Sequence, residues 1–253
     1  MAAGWHDKAC PETGLWSILS KIGSGSLSQS ININLGGFFM EKEKVIAKIK
    51  ELGVVAVIRG TDAEDGIKIS EACIKGGVTA IEVAFTTPGA QETIKVLADK
   101  YRNNPEVVIG AGTVLDPETA RIAMLNGAEF IVSPSINLET IRLCNRYRVA
   151  CMPGTTTLDG VVTALEAGAD IIKIFPGEIV GLKMIKAIKG PLPQAQLMPT
   201  GGVTVENVAE WLHAGCVAVG AGGSLTGAAK TGDFAKITAT AIEFVNAVKA
   251  ARQ

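Results

Sequence analysis

An α/β fold, and within that class a single-domain (β/α)8 TIM barrel, is predicted by three observations on this 253-residue chain. From Met40 onward, short apolar runs rich in β-branched residues alternate with amphipathic stretches. One phrase recurs at the joints: a glycine closes a helix and the next strand begins almost at once, as in "KGGVTAIEV", "NGAEFIV", "AGADIIKI" and "HAGCVAVG". The strands are apolar along nearly their whole length, which implies that both faces are covered, as in a parallel sheet under helices. Eight strands and about eight helices after Met40 fit the compact end of the barrel size range. A doubly wound open sheet is the competing arrangement. No G-x-G-x-x-G opens a helix after a strand, and "GAG" at 110–112 runs on into Thr113 and Val114, so a dinucleotide site has little support.

The strands are expected at 54–59, 79–85, 107–112, 129–133, 149–153, 170–175, 196–200 and 216–220. Between them, "DAEDGIKISEACIKGG" places Ile67, Ala72 and Ile74 near one helix face. "DPETARIAMLNGA" has an acidic start, with Pro117 suited to the first turn and Gly127 to the stop. "TVENVAEWLHAG" is expected to start on Thr204 as N-cap, with Glu206 and Glu210 facing solvent. Residues 1–39 read differently. "GSGS" at 23–26 resembles a flexible linker, and "GLWSILSKI" has the pattern of two amphipathic turns. The expected division is a leader over 1–39 and a barrel domain over 40–253. The leader would be added in cloning, a docking peptide or the product of an upstream start, disordered and dispensable for chemistry.

Composition narrows the function. A net charge of −1 gives no sign of a nucleic-acid partner, and no apolar run is long enough for a membrane span. The five cysteines (10, 73, 144, 151 and 216) form no C-x-x-C pair and read as buried thiols of a cytoplasmic protein. His6 and His213 are the only histidines, too few for a His-rich metal site or a Ser-His-Asp triad.

Against this background "GADIIKIFPG" (168–177) is unusual, because Lys173 interrupts an apolar strand. In a barrel, alternation turns Lys173 inward with Ile171 and Phe175 and sends Ile172 and Ile174 outward under helices. A desolvated ammonium has a lowered pKa, and a partly neutral amine is a nucleophile for a carbonyl carbon. A lysine that snorkels to solvent or pairs with a carboxylate is the plainer alternative. "AIEVAF" buries a second charge, Glu82, on the face of Ala80 and Ala84. Glu82 reads as a general base, or as the structural ion-pair partner of Lys173. Glycine pairs follow the seventh and eighth strands, Gly201-Gly202 in "MPTGGVT" and Gly222-Gly223 with Ser224 in "VGAGGSLTG". Loops at these two positions commonly cradle a phosphate with backbone N–H groups.

From Met40 to the C-terminus the chain resembles the 2-keto-3-deoxy-6-phosphogluconate and 4-hydroxy-2-oxoglutarate aldolases. The matching phrases are "VVAVIRG" (54–60), "GGVTAIEVAFTTPGA" (76–90), "IGAGTV" (109–114), "EFIVSP" (129–134), "MPG" (152–154), "IIKIFPGE" (171–178), "IKGPLP" (188–193) and "PTGGV" (199–203), in family order. Residues 1–39 have no counterpart. The resemblance implies a class I, Schiff-base carbon–carbon lyase on a (β/α)8 barrel, usually homotrimeric, acting on a small-molecule 2-keto acid without cofactor or metal. It makes Lys173 the Schiff-base lysine and Glu82 the general acid/base. It assigns Thr113, Pro153, Phe175 and Thr200 to the substrate pocket, and Gly201, Gly202, Gly222, Gly223 and Ser224 to the phosphate. Arg59, ending the first strand, is an anion partner on charge grounds. Some family members carry an arginine four residues after the catalytic glutamate, where this chain has Thr86. The family's G-S-x-L phrase is here Gly222-Gly223-Ser224-Leu225, with the hydroxyl displaced by one position. A phosphosugar isomerase or epimerase and a non-catalytic trimeric scaffold remain as rival readings.

Overall fold

The computed structural model describes residues 40–253. The expectations for residues 1–39, including the helix over "GLWSILSKI", lie outside the described residues. The fold is α/β with parallel strands. Helix α1 (Lys42–Leu52) leads into β1 (Val54–Ile58), and Gly53 between them turns the chain in the left-handed region at φ 68°. There follow α2 (Ala63–Lys75), β2 (Ala80–Ala84), α3 (Ala90–Tyr101), β3 (Val108–Gly112), α4 (Pro117–Leu125) and β4 (Phe130–Val132). Next come α5 (Leu138–Tyr147), β5 (Ala150–Met152), β6 (Gly154–Thr155), α6 (Leu158–Glu166), β7 (Ile172–Ile174), α7 (Gly177–Lys189) and β8 (Leu197–Pro199). The last elements are α8 (Val208–His213), β9 (Val219–Ala221), the short α9 (Gly223–Thr226) with a 3-10 turn behind it, and α10 (Phe234–Ala251).

Helix starts follow local chemistry. The side chains of Asp62, Asp116, Asn137 and Thr157 each accept a hydrogen bond from an N–H in the first turn of α2, α4, α5 and α6. Pro117 opens α4 and Gly127 follows its end at φ 103°, as the sequence predicts. Thr204 is not the cap of α8. Its carbonyl accepts from Val208 N–H at 3.1 Å and its own N–H donates to Asn207 Oδ1 at 2.9 Å, so a turn precedes the helix and Asn207 takes the N-cap position. Glu206 and Glu210 are exposed, as expected. On α2 the buried face is Gly66, Ile69, Ser70, Ala72 and Cys73, with Ile67 and Ile74 only half-buried beside it. The 3.6-residue period favours the i, i+3, i+4, i+7 set over the one expected from hydrophobicity alone.

Strands β5-β4-β3-β2-β1-β9 pair in that order, and β6-β7-β8 form a second sheet. A parallel bridge from Thr200 to Gly220 joins the end of β8 to β9. Beyond the fifth predicted strand (149–153) the chain pairs again in β6, and the gap between β5 and β6 falls at Pro153, which has no N–H to give to a ladder. Its carbonyl still accepts the Lys173 N–H at 2.9 Å. The last strand begins at Val219 rather than at residue 216: the Cys216 N–H bonds back to Trp211 O at the end of α8, and Val219 N–H is the first to reach the β1 end, at Gly53 O.

Alternation along the strands separates two apolar layers. Ile58, Ile81, Val83, Ile109, Ile131, Ile172, Ile174 and Val219 pack outward with the helices. Val55, Ala80, Val108, Phe130, Val132, Ala150, Met152, Ile171 and Met198 point inward, where Val45 and Ile49 of α1 join them. Ala80, Val108, Phe130 and Ala150 among them open β2, β3, β4 and β5, so α1, packed on this layer, lies toward the N-terminal ends of the strands.

Cys73, Cys144, Cys151 and Cys216 are buried and unpaired by disulfides. Burial pushes the Cys73 and Cys216 thiols up to about 12, and a hydrogen bond donated to Cys144 together with burial holds the Cys151 thiol well above its usual range. These four thiols are expected to resist a thiol-reactive dye at about pH 8 in the folded protein and to react once it is unfolded. Fast labelling of Cys73 or Cys216 in the native state would contradict this.

Candidate active site

The second inward position of β7 is Lys173, and the second of β2 is Glu82. The two side chains are 4% and 0% exposed, and Lys173 Nζ donates to Glu82 Oε1 at 3.3 Å. Lys173 Nζ also lies 5.4 Å from the ring centre of Phe175, two residues along the same face. A buried ion pair of this kind is weak support for stability, because the cost of desolvating two charges offsets their attraction. Its chemical meaning is stronger: an amine and a carboxylate share one dry pocket and can exchange a proton without solvent.

Room for the carboxylate comes from β3. A Cβ built on Gly112 would meet Glu82 Oε1 at 2.1 Å, and one on Gly110 would meet the Phe130 ring at 2.4 Å. On the other side, a Cβ on Gly220 would meet Thr200 Oγ1 at 2.3 Å. Glycine is therefore required at these inward positions by close approach. Gly112 and Gly220 were not singled out as site residues in the sequence. The period-2 alternation that turns Glu82 and Thr200 inward would have found them, because it turns these glycines to the same space.

Glu82 Oε2 and Thr200 Oγ1 are among six buried side-chain polar atoms without a hydrogen-bond partner among the described residues. Thr200 is anchored by its backbone, with N–H donating to Ile174 O at 3.0 Å and carbonyl accepting from Gly177 N–H at 2.8 Å. Thr113, directly after β3, adopts φ 55°, a left-handed conformation that costs a threonine energy and marks a constrained loop. Pro153 is buried, and its carbonyl accepts the Lys173 N–H.

The glycine loops lie at the strand ends as expected. Gly201 and Gly202 take φ of 96° and 68°, and their backbone packs on Glu178 at the start of α7. Gly223 and Ser224 begin α9, where the first N–H groups of a helical turn have no intrahelical acceptor. The Ser224 hydroxyl donates to Val203 O at 2.6 Å, tying the two glycine loops together. Arg59 is exposed, and its guanidinium Nη1 lies 3.6 Å from a Cβ built on Gly222. Thr86 is exposed in the turn after β2, and no hydrogen bond ties it to Lys173 or Glu82. The neighbouring Thr87 is the buried one, its hydroxyl accepting from Gly60 N–H at 3.2 Å. Among the described residues no group of three or more His, Cys, Asp or Glu side chains could hold a metal ion.

Comparison with known proteins gives this arrangement a context. The sequence profile of the KDPG and KHG aldolases matches residues 45–240. The 2-dehydro-3-deoxy-6-phosphogalactonate aldolase of Escherichia coli K12 is 38% identical over 176 residues, 69% of this chain and 85% of the relative. The 2-dehydro-3-deoxy-phosphogluconate aldolase of Haemophilus influenzae is 36% identical over 67% of this chain and 79% of its own. Among solved structures, the KDPG aldolase of Legionella pneumophila, crystallised with pyruvate captured as a covalent carbinolamine intermediate, superposes with a TM-score of 0.72 at 29% identity, over 78% of this chain and 96% of that one. With the profile spanning 45–240, which includes Glu82 and Lys173, and both relatives above 30% identity over two thirds or more of the chain, this chain belongs to the KDPG and KHG aldolase family.

Proposed function

We propose that the protein is a class I aldolase that cleaves 2-keto-3-deoxy-6-phosphogluconate to pyruvate and glyceraldehyde 3-phosphate, 4-hydroxy-2-oxoglutarate to pyruvate and glyoxylate, or both. The observation that carries this reading is the buried pair of Lys173 and Glu82 at 3.3 Å. The neutral Lys173 amine attacks the C2 ketone. The carbinolamine loses its oxygen as water and becomes a protonated imine. Glu82, directly or through one water, removes the proton of the C4 hydroxyl, and the electrons of the C3–C4 bond flow into the iminium. An aldehyde leaves, and an enamine of pyruvate remains on Lys173. Protonation at C3 and hydrolysis then free pyruvate and the amine.

Other residues take supporting parts. Thr200, whose hydroxyl lacks a partner, is assigned to the C4 alcohol and thereby to configuration. Thr113, Pro153 and Phe175 wall the pyruvyl half. The backbone of Gly201, Gly202, Gly222, Gly223 and Ser224 is assigned to a phosphate, with Arg59 as its nearest cation, and Thr86 to the outer rim. The strand pairings support a barrel of eight staves, with β5 and β6 as one stave broken at Pro153. A barrel domain beginning at Met40, a cytoplasmic location and a homotrimer complete the reading, by likeness to the family. Among the described residues no helix is long and apolar enough to cross a membrane.

Borohydride in the presence of pyruvate tests the proposal. Reduction should fix a three-carbon adduct on the peptide that contains Lys173, readable by mass spectrometry. Folded protein with no adduct, or an adduct on another lysine, would refute it.

A further inference from the structure

At the N-terminal ends of the strands, two acidic side chains do the same structural job with different partners. Asp170, just before β7, accepts the Cys151 N–H of the preceding strand at 3.0 Å, and Lys42 Nζ lies 2.9 Å from the same oxygen. Glu129, just before β4, accepts the Ile109 N–H of the preceding strand at 3.3 Å. Its other oxygen accepts the backbone N–H of Met40 at 3.0 Å. Each acid thus ties a strand to its neighbour and is met by the segment that enters α1, but only Asp170 meets a cation there. Glu129 is half-buried and forms no ion pair among the described residues. Burial raises its carboxyl above the usual range, against the pull of the two N–H groups. A carboxylate withdrawn from water without a counter-charge is costly.

The position of the missing charge is already fixed. Met40 is half-buried against the inner apolar layer, which holds its nitrogen on Glu129. In a continuous chain that nitrogen is a neutral amide with one N–H. In a chain that starts there, it is a primary ammonium with three donors and a full positive charge.

We propose that Glu129 is a receptor for an α-ammonium group, one that a chain beginning at Met40 would present to it. The Met40–Glu129 contact is then the counterpart of Lys42–Asp170, and together they pin the entry of α1 to two strand joints.

The test compares the full chain with one that begins at Met40, each with and without Glu129→Gln. The shorter chain contains every buried core residue from Val45 to Val248, and the described residues fall in one compact unit. In urea titrations, Glu129→Gln should lower the folding equilibrium constant about tenfold more in the Met40 chain than in the full chain. Acetylation of the α-amino group of the Met40 chain should abolish that excess. Equal costs in the two chains, or an excess that survives acetylation, would overturn the proposal.

Discussion

Lys173→Ala should abolish pyruvate release, by roughly 10⁴-fold or more, because the variant has no amine to form the imine. The same change leaves Glu82, which is fully buried, without the Nζ that it meets at 3.3 Å. Removing one partner of a buried pair typically costs about 3–5 kcal/mol. The far-ultraviolet circular dichroism should therefore persist at 25 °C while the melting temperature falls. A double variant, Lys173→Ala with Glu82→Gln, removes both charges and should regain part of that stability without regaining activity. A coupled pyruvate assay and thermal melts read the two properties separately. Turnover above a hundredth of the original rate in Lys173→Ala would show that the lysine is only a structural partner.

The second large effect is expected at a residue with no functional group. In Gly112→Ala the new methyl would lie 2.1 Å from Glu82 Oε1 and 2.7 Å from Cδ, so the carboxylate must leave its place beside Lys173. A displacement of about 1 Å at a reacting group is worth about 10²-fold in rate. We expect kcat to fall by about that factor or more. Gly227→Ala, whose new methyl meets nothing within 4 Å, should leave activity unchanged. If Gly112→Ala retains full kcat, Glu82 does not act from the position seen here.

The contrast between these two variants shows what a sequence reveals and what it hides. Lys173 and Glu82 were visible because a charge inside an apolar strand breaks a strong pattern, and alternation then gives the face. The same alternation placed Ile172 and Ile174 outward, where they are found. Gly112 and Gly220 escaped notice because glycine is common at strand ends, and its value here is the space it leaves for a side chain from another strand. The break at Pro153 follows from its missing N–H, and β6 beyond it, Gly154-Thr155, carries no apolar run that would extend a predicted strand. Cys216 to Ala218 carry a strand-like composition, but the α8 terminus claims the Cys216 N–H, a competition that only the folded chain decides. The Ser224 hydroxyl was a candidate phosphate ligand by chemistry alone. Its bond to Val203 O turns it into a tie between loops.

Val45 and Ile49 of α1 seal the strand interior from one side. With α1 packed over that end, a substrate would approach Lys173 and Glu82 from the opposite end of the strands, where Thr200 and the two glycine loops stand.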